Sequence, residues 1–198
     1  MRSNSPFTKS SVARHLLTAA AIAASCTVGS AWAQTPGTRA TTTADSAGGA
    51  TQLQKADQKL VEDIAQANLA EIATGKIALD TSKDERVRKF AQTMIDDHTA
   101  AMTEVQQLAQ AKGLALPDGP DLKHKAMATA LKAMSGETFD RQYMSRSGVT
   151  DHQQTLALLK KTQREAKDPQ LKALAVKMIP VVQGHLDDAH RAAPAGKH

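Results

Sequence analysis

A stretch of thirteen residues recurs without gaps 84 positions downstream. Lys83-Asp84-Glu85-Arg86-Val87-Arg88-Lys89-Phe90-Ala91-Gln92-Thr93-Met94-Ile95 aligns with Lys167-Asp168-Pro169-Gln170-Leu171-Lys172-Ala173-Leu174-Ala175-Val176-Lys177-Met178-Ile179. Alanine-rich sequences match themselves by chance, so the shared Lys-Asp opening carries more weight than the later alanine. That opening also has a mechanism. Asp84 and Asp168 are N-cap candidates whose carboxylates can accept the free amides of a first helical turn, and Pro169 falls at the first helical position, where proline is tolerated. Each repeat therefore starts a helix after a short break. Helical sequence precedes each break, at about 54–80 and 137–166, where Ala, Leu, Lys, Gln, Glu and Met dominate and no alternating strand pattern occurs.

The expected fold is all-α: an antiparallel four-helix bundle made from a duplicated helical hairpin, here with the connectivity of ferritin-like proteins. The two hairpins are joined by a long segment bracketed by Gly113, Pro117, Gly119, Pro120 and Gly136, with a short helix predicted at 121–134. Such a link is long enough to cross the length of the bundle. A simple up-down-up-down bundle with an ornamented loop is the alternative.

The ends read differently. Arg2, Lys9 and Arg14 precede an apolar run from Leu16 to Val28, followed by Ala31-Trp32-Ala33. This is the pattern of a signal peptide over 1–33, cleaved after Ala33, and the run is too short to serve comfortably as a membrane span. Cys26 permits a lipoprotein alternative, although Ala23 stands where a large aliphatic residue is usual. The full chain holds 25 basic and 20 acidic residues, a net charge of +5. The leader carries three of those bases and no acid, so the mature chain is close to neutral and gives no argument for nucleic acid. With Cys26 removed it is also free of thiols and must be stable without disulfides. Residues 34–52 are rich in Thr, Ala and Gly and read as a flexible linker, 53–192 as the bundle, and 193–198 as a disordered tail.

Heptad spacing places one ionisable residue in the apolar stripe of each main helix: Glu71, His98, His152 and His185. Glu71 and His98 lie about 20 Å from the first turn, and His152 and His185 about 25 Å from the second, so all four fall near mid-bundle. One carboxylate and three imidazoles suit a divalent metal such as Zn, Mn or Fe. Asp97, Asp151, Asp187 and Asp188 flank the histidines and could accept the second ring N–H. The alternative is a buried polar layer that only fixes helix register. A di-iron site would need Glu-x-x-His on two helices. Ile95, Val149 and Val182 stand three residues before the histidines instead. Pro180, inside the last helix, should remove a hydrogen bond and kink it. The methionines at helical spacing read as core filler, and no phosphate loop, nucleophile elbow or Cys/His zinc pattern is present.

The run Asn68-Leu69-Ala70-Glu71-Ile72-Ala73-Thr74-Gly75-Lys76-Ile77-Ala78-Leu79, with Phe90-Ala91-Gln92-Thr93-Met94-Ile95-Asp96-Asp97-His98-Thr99, resembles a family of exported bacterial proteins with a ferritin-like bundle and no assigned function. Phe139-Asp140-Arg141-Gln142-Tyr143-Met144, Asp151-His152, Ile179-Pro180 and His185-Leu186 fit that family's second half. The resemblance implies the crossover topology, a periplasmic or outer-membrane-associated location, and no reaction. The resulting expectation is a periplasmic bundle, non-catalytic or stress-related, that binds a divalent metal at the mid-bundle layer. The rival is an envelope structural or interaction module, and either could have an envelope protein partner or form a homo-oligomer.

Overall fold

The computed structural model describes residues 52–192. The expected signal peptide, nearly all of the linker and the 193–198 tail lie outside the described residues. Within them the chain forms α1 (Lys55–Thr81), α2 (Glu85–Ala111), α3 (Leu122–Lys132), α4 (Gly136–Tyr143), a π-helical segment (Met144–Asp151), α5 (His152–Glu165) and α6 (Pro169–Ala192). No strand occurs among the described residues. The segments α4, π and α5 follow one another without a break and act as the third long helix. None of the described helices is long and apolar enough to cross a membrane.

The repeated Asp does what its position predicts. Asp84 accepts from the amides of Arg86 at 2.8 Å and Val87 at 3.4 Å. Asp168 accepts from the amides of Gln170 at 2.9 Å and Leu171 at 3.0 Å, the equivalent pair 84 residues on. Counted from these caps, the same positions turn inward: Val87 and Leu171, Phe90 and Leu174, Ala91 and Ala175, Met94 and Met178 are all buried. Arg86 hydrogen-bonds the Asp84 carboxylate as well, and with the first-turn amides it holds that group down to about 2.

Asp57, in the first turn of α1, is buried and accepts from the amides of Lys167 (2.9 Å) and Asp168 (2.7 Å). Lys112, just past α2, pairs with Asp168 at 2.7 Å. The start of α1, the end of α2 and the second hairpin turn therefore share one end of the bundle. At the other end Phe90, early in α2, meets Tyr143 edge-on with ring centroids 6.1 Å apart. A Cβ on Gly148 would fall 3.0 Å from that of Ala189, late in α6. The third helix thus begins at the end opposite to where α2 finishes. Its link must travel the bundle's length, and α3 packs along α1 on the way. Each long helix runs antiparallel to its packed neighbours, which excludes the ornamented-loop alternative.

Gly75 marks a close approach of α1 and α2. A Cβ there would lie 3.0 Å from Ile95 Cγ1 and 3.1 Å from the Ala91 carbonyl. Pro180 lies inside α6, on an exposed face, and cannot donate to the Val176 carbonyl.

Two substitutions test this frame in urea melts. Asp57→Asn keeps one oxygen for the Lys167 and Asp168 amides but loses the charge and sets an NH2 group 3.1 Å from the Lys167 amide, and should cost about 1–3 kcal/mol, the scale of a hydrogen bond to a charged group. Gly75→Ala should cost a similar amount, about 1–3 kcal/mol, through overpacking against backbone. Wild-type stability in both would contradict the packing described.

Candidate metal centre

Three of the four seam residues converge. His98 from α2, His152 from the start of α5 and His185 from α6 form a nearly equilateral triangle, with ring centroids 5.5, 5.3 and 5.4 Å apart. Each is at least 96 % buried. One nitrogen from each ring can be chosen so that all lie within 4.8 Å of one another.

Hydrogen bonds on the outer side of each ring decide which nitrogen faces inward. His98 Nδ1 lies 2.9 Å from Asn68 Oδ1, and the Asn68 amide is itself committed to donating to the Ile64 carbonyl at 2.7 Å. Asn68 can therefore only accept from His98. His152 Nδ1 lies 2.7 Å from the Ser147 carbonyl, so it too must donate. His185 Nε2 lies 2.8 Å from the Asp97 carboxylate and donates likewise. Each ring thus spends its proton outward. The remaining nitrogens, His98 Nε2, His152 Nε2 and His185 Nδ1, are buried and have no partner.

The Ser147 carbonyl is available because of the π-helical segment. A π turn widens the backbone by one residue and shifts the hydrogen-bonding ladder. Here it places a carbonyl five residues back from His152 within reach of its ring. The segment Met144-Ser145-Arg146-Ser147-Gly148-Val149-Thr150-Asp151 contains serine, glycine and β-branched residues, all weak helix formers. That composition was the one available sign. The expectation of a regular third helix missed it: Val149, three residues before His152, is only partly buried while Ser147 and Gly148 are buried.

Glu71 stands apart from the triangle. It is buried, and its Oε1 lies 4.0 Å from His152 Nδ1, the nitrogen that faces away from the other two rings. Its Oε2 has no partner, and neither do the nearby Tyr143 hydroxyl and the Ser147 hydroxyl. Burial, with a smaller push from Asp151, drives the Glu71 carboxyl well above its ordinary range. Burial likewise lowers His98 strongly, helped by the other two histidines, and lowers His152 to about 4. Both shifts disfavour the charged forms, so burial works against an ion pair between Glu71 and His152. Of the expected flanking acids, Asp97 serves a ring. Asp151 lies toward Glu71, while Asp187 and Asp188 bond Gln183 and Arg191 on the surface.

One side of the layer is closed by aromatics. Phe90 packs against His152 at 6.2 Å, Tyr143 meets Phe90, and Phe139 stacks on Tyr143 at 6.0 Å with rings 7° from parallel. The other side is the apolar cluster around Ile64, Met102, Val105 and Val182. The arrangement is a buried pocket presenting three unpartnered ring nitrogens.

A family model described as a domain of unknown function, DUF4142, matches residues 42–192. Solved structures share the bundle. The DUF305 fragment from Deinococcus radiodurans is 16% identical, with a TM-score of 0.64 over 72% of this chain and 97% of that one. CopM in its Cu(I)-bound form is 17% identical, with a TM-score of 0.56 over 68% and 93%. Its Cu(II)-bound form is 20% identical over the same shares, again with a TM-score of 0.56. At such identity the likeness concerns the fold. No curated protein matches the sequence.

The shifted groups give pH effects of opposite sign. His98 and His152 resist protonation in the fold but protonate near 6.5 when unfolded. Their contribution is full above that pH and is lost as pH falls through about 4 for His152. Glu71 acts the other way: its raised value favours the folded state below its unfolded value of about 4.3, and the contribution is lost as pH rises. In thermal melts of metal-free protein, the deficit of His152→Leu relative to wild type should grow from pH 4 to 6.5. The deficit of Glu71→Gln should shrink over the same range. Parallel curves would refute the assignment of these groups as buried and neutral.

Proposed function

This chain belongs to the DUF4142 family, and we propose that its bundle is a non-catalytic metal-binding protein whose ligands are His98, His152 and His185. The observation that carries the reading is the set of three buried, unpartnered ring nitrogens whose opposite nitrogens are each anchored. A layer serving only helix register has no reason to leave them so, since each unsatisfied buried group costs about 1–3 kcal/mol. Anchoring of the outer ring N–H by a carbonyl or carboxylate is also the arrangement that orients metal-bound histidines. Bonds of about 2.0–2.1 Å to three nitrogens would hold them about 3.3–3.6 Å apart, so modest ring rotations complete the site.

The donor set narrows the metal. Imidazole suits copper, zinc and iron, whereas manganese prefers oxygen ligands and would find none within the triangle. Three buried imidazole nitrogens with no carboxylate among them favour an ion of low charge or the strongest divalent binder, and copper fits both as Cu(I) and Cu(II). The likeness to CopM, described in Cu(I)-, Cu(II)- and Ag-bound forms, supports copper over zinc. Glu71 contributes from behind His152, where it can take up positive charge brought into the pocket.

We read the single long crossover as ferritin-like connectivity and the leader as an export signal, which together give a periplasmic metal-binding bundle, with handling of metal stress as its role. Periplasmic material should begin at Gln34 and lack a thiol by intact mass; retention of Cys26 with added lipid mass would replace this with the lipoprotein form.

Metal binding has a direct test. Cu(II), or Zn(II) as comparison, should raise the melting temperature of tag-free protein, equivalent to about 2.7 kcal/mol at one hundred times Kd. The His98→Ala and His185→Ala variants should fold and lose that rise. No metal-dependent stabilisation of the wild type would leave the triad as a register layer only.

A further inference from the structure

The three anchors of the triad differ in one respect. Asn68 and Ser147 are buried, whereas Asp97 keeps 46% of its side-chain surface in solvent while bonded to His185. The triad therefore meets water through Asp97. Beside it a cleft of about 230 Å³ opens between α2 and α6, lined by Asp97, His98, Ala100, Met178, Val181 and His185 among others. Two of the three ligands stand in its wall. A second cavity, of about 160 Å³, lies on the α1–α5 face, and its walls include Glu71 and Asp151 but none of the triad histidines.

Charge at the cleft mouth is arranged for a cation. Asp97 and Glu104 line it, and the single base is Lys177, paired with Glu104 at 2.7 Å. The pair is exposed, so its net pull on a distant ion is weak, and Asp97 is left as the acid nearest the rings. The groups facing Asp97 from the packed helix are His185 and, further along the cleft, Lys177. A hydrated ion gains a carboxylate at the mouth and imidazole nitrogens within, and Met178 adds a thioether along the same wall. Thioether and imidazole donors together suit copper over hard cations.

We propose that the metal ion enters between α2 and α6, with Asp97 as the capture residue that delivers it to His185 and His98. This rests on the metal-binding reading of the triad and adds the route and the outer site to it. Asp97 has two duties on this account: it orients His185, and it concentrates cations at the only anchor that faces water. Lys177 opposes that concentration from the same cleft.

Loading of Cu(II) into the intact mature protein, followed by stopped-flow absorbance, separates route from affinity. Val181→Trp fills the exposed side of the cleft and should abolish the fast loading phase, while the affinity measured by chelator competition stays that of wild type. Lys177→Gln should load faster than wild type at low salt with the same affinity. Asp97→Asn should load about tenfold more slowly at low salt, the scale of electrostatic steering, and the difference should shrink as salt rises. Gln154→Trp, which fills the cavity on the opposite face, should load at the wild-type rate. Rates unchanged in both Val181→Trp and Lys177→Gln, or a slow Gln154→Trp, would overturn the route even though copper binds. A wild-type protein that binds no copper at equilibrium would instead refute the metal-binding reading itself.

Discussion

Asp168 is the point at which the bundle is tied together. Its carboxylate caps α6 and pairs with Lys112 beyond α2, while its own amide donates to Asp57 at the start of α1. Three long helices and a hairpin turn thus have their heights fixed at one residue. Burial would raise the Asp168 carboxyl, but the Lys112 ammonium and the first-turn amides hold it below its ordinary value, so the junction is charged at neutral pH. Height matters because the histidines come from α2, α5 and α6, and a slip of one turn is about 5.4 Å. Such a slip would exceed the 4.8 Å within which the ring nitrogens gather.

Within that frame the site is arranged by what surrounds the rings rather than by the rings alone. Burial of an imidazole favours its neutral form, which is the form that ligates a metal. A neutral ring can still point either nitrogen inward. Asn68, Ser147 and Asp97 remove that freedom, each by a different chemistry: a side-chain amide locked by Ile64, a backbone carbonyl released by the π segment, and a carboxylate. The preorganisation is spread over all four long helices, since Asn68 is the contribution of α1. The aromatic stack of Phe90, Tyr143 and Phe139 keeps water from the Ser147 side, where a carbonyl in contact with solvent would orient His152 less firmly.

Much of this was legible in the sequence because it followed from periodicity. The Lys-Asp repeat located both capped helix starts, and counting 3.6-residue turns from them placed His98, His152 and His185 on inward faces at one level. The crossover was legible from the length of the Gly- and Pro-bracketed link, and its direction came only with the long-range contacts of Asp57 and Gly148. Glu71 shows the limit of such counting. A stripe gives the face of a helix but not the side of a neighbouring ring, and Glu71 meets His152 at the nitrogen pointing away from the triangle. Asn68 was passed over because a single amide beside an apolar stripe carries no periodic signal. Ser147 could not be found by counting at all, since the π turn abolishes the period on which the count relies.

The duplication also explains why the site is asymmetric. The two hairpin turns are equally long, with α1 ending at Thr81 and α5 at Glu165, so the 84-residue correspondence extends backward from the turns as well as forward. Under it His152 corresponds to Asn68, His98 to Val182, His185 to Ala101, and Glu71 to Thr155. No histidine of the triad has a histidine as its counterpart. The position that supplies a ring in the second hairpin supplies, in the first, the amide that orients the ring of His98. A symmetric pair of hairpins would bring two or four histidines to the axis, and four rings would compete for the space that three occupy at centroid distances of 5.3–5.5 Å. Divergence of the halves yields an odd number of donors and leaves one helix, α1, free to provide Asn68 and Glu71 as supports. The π segment lies immediately before His152, the first residue of α5, and the positions 84 residues earlier are regular helix in α1. One hairpin has a regular helix at these positions; the other has the wide turn that brings the Ser147 carbonyl to the His152 ring.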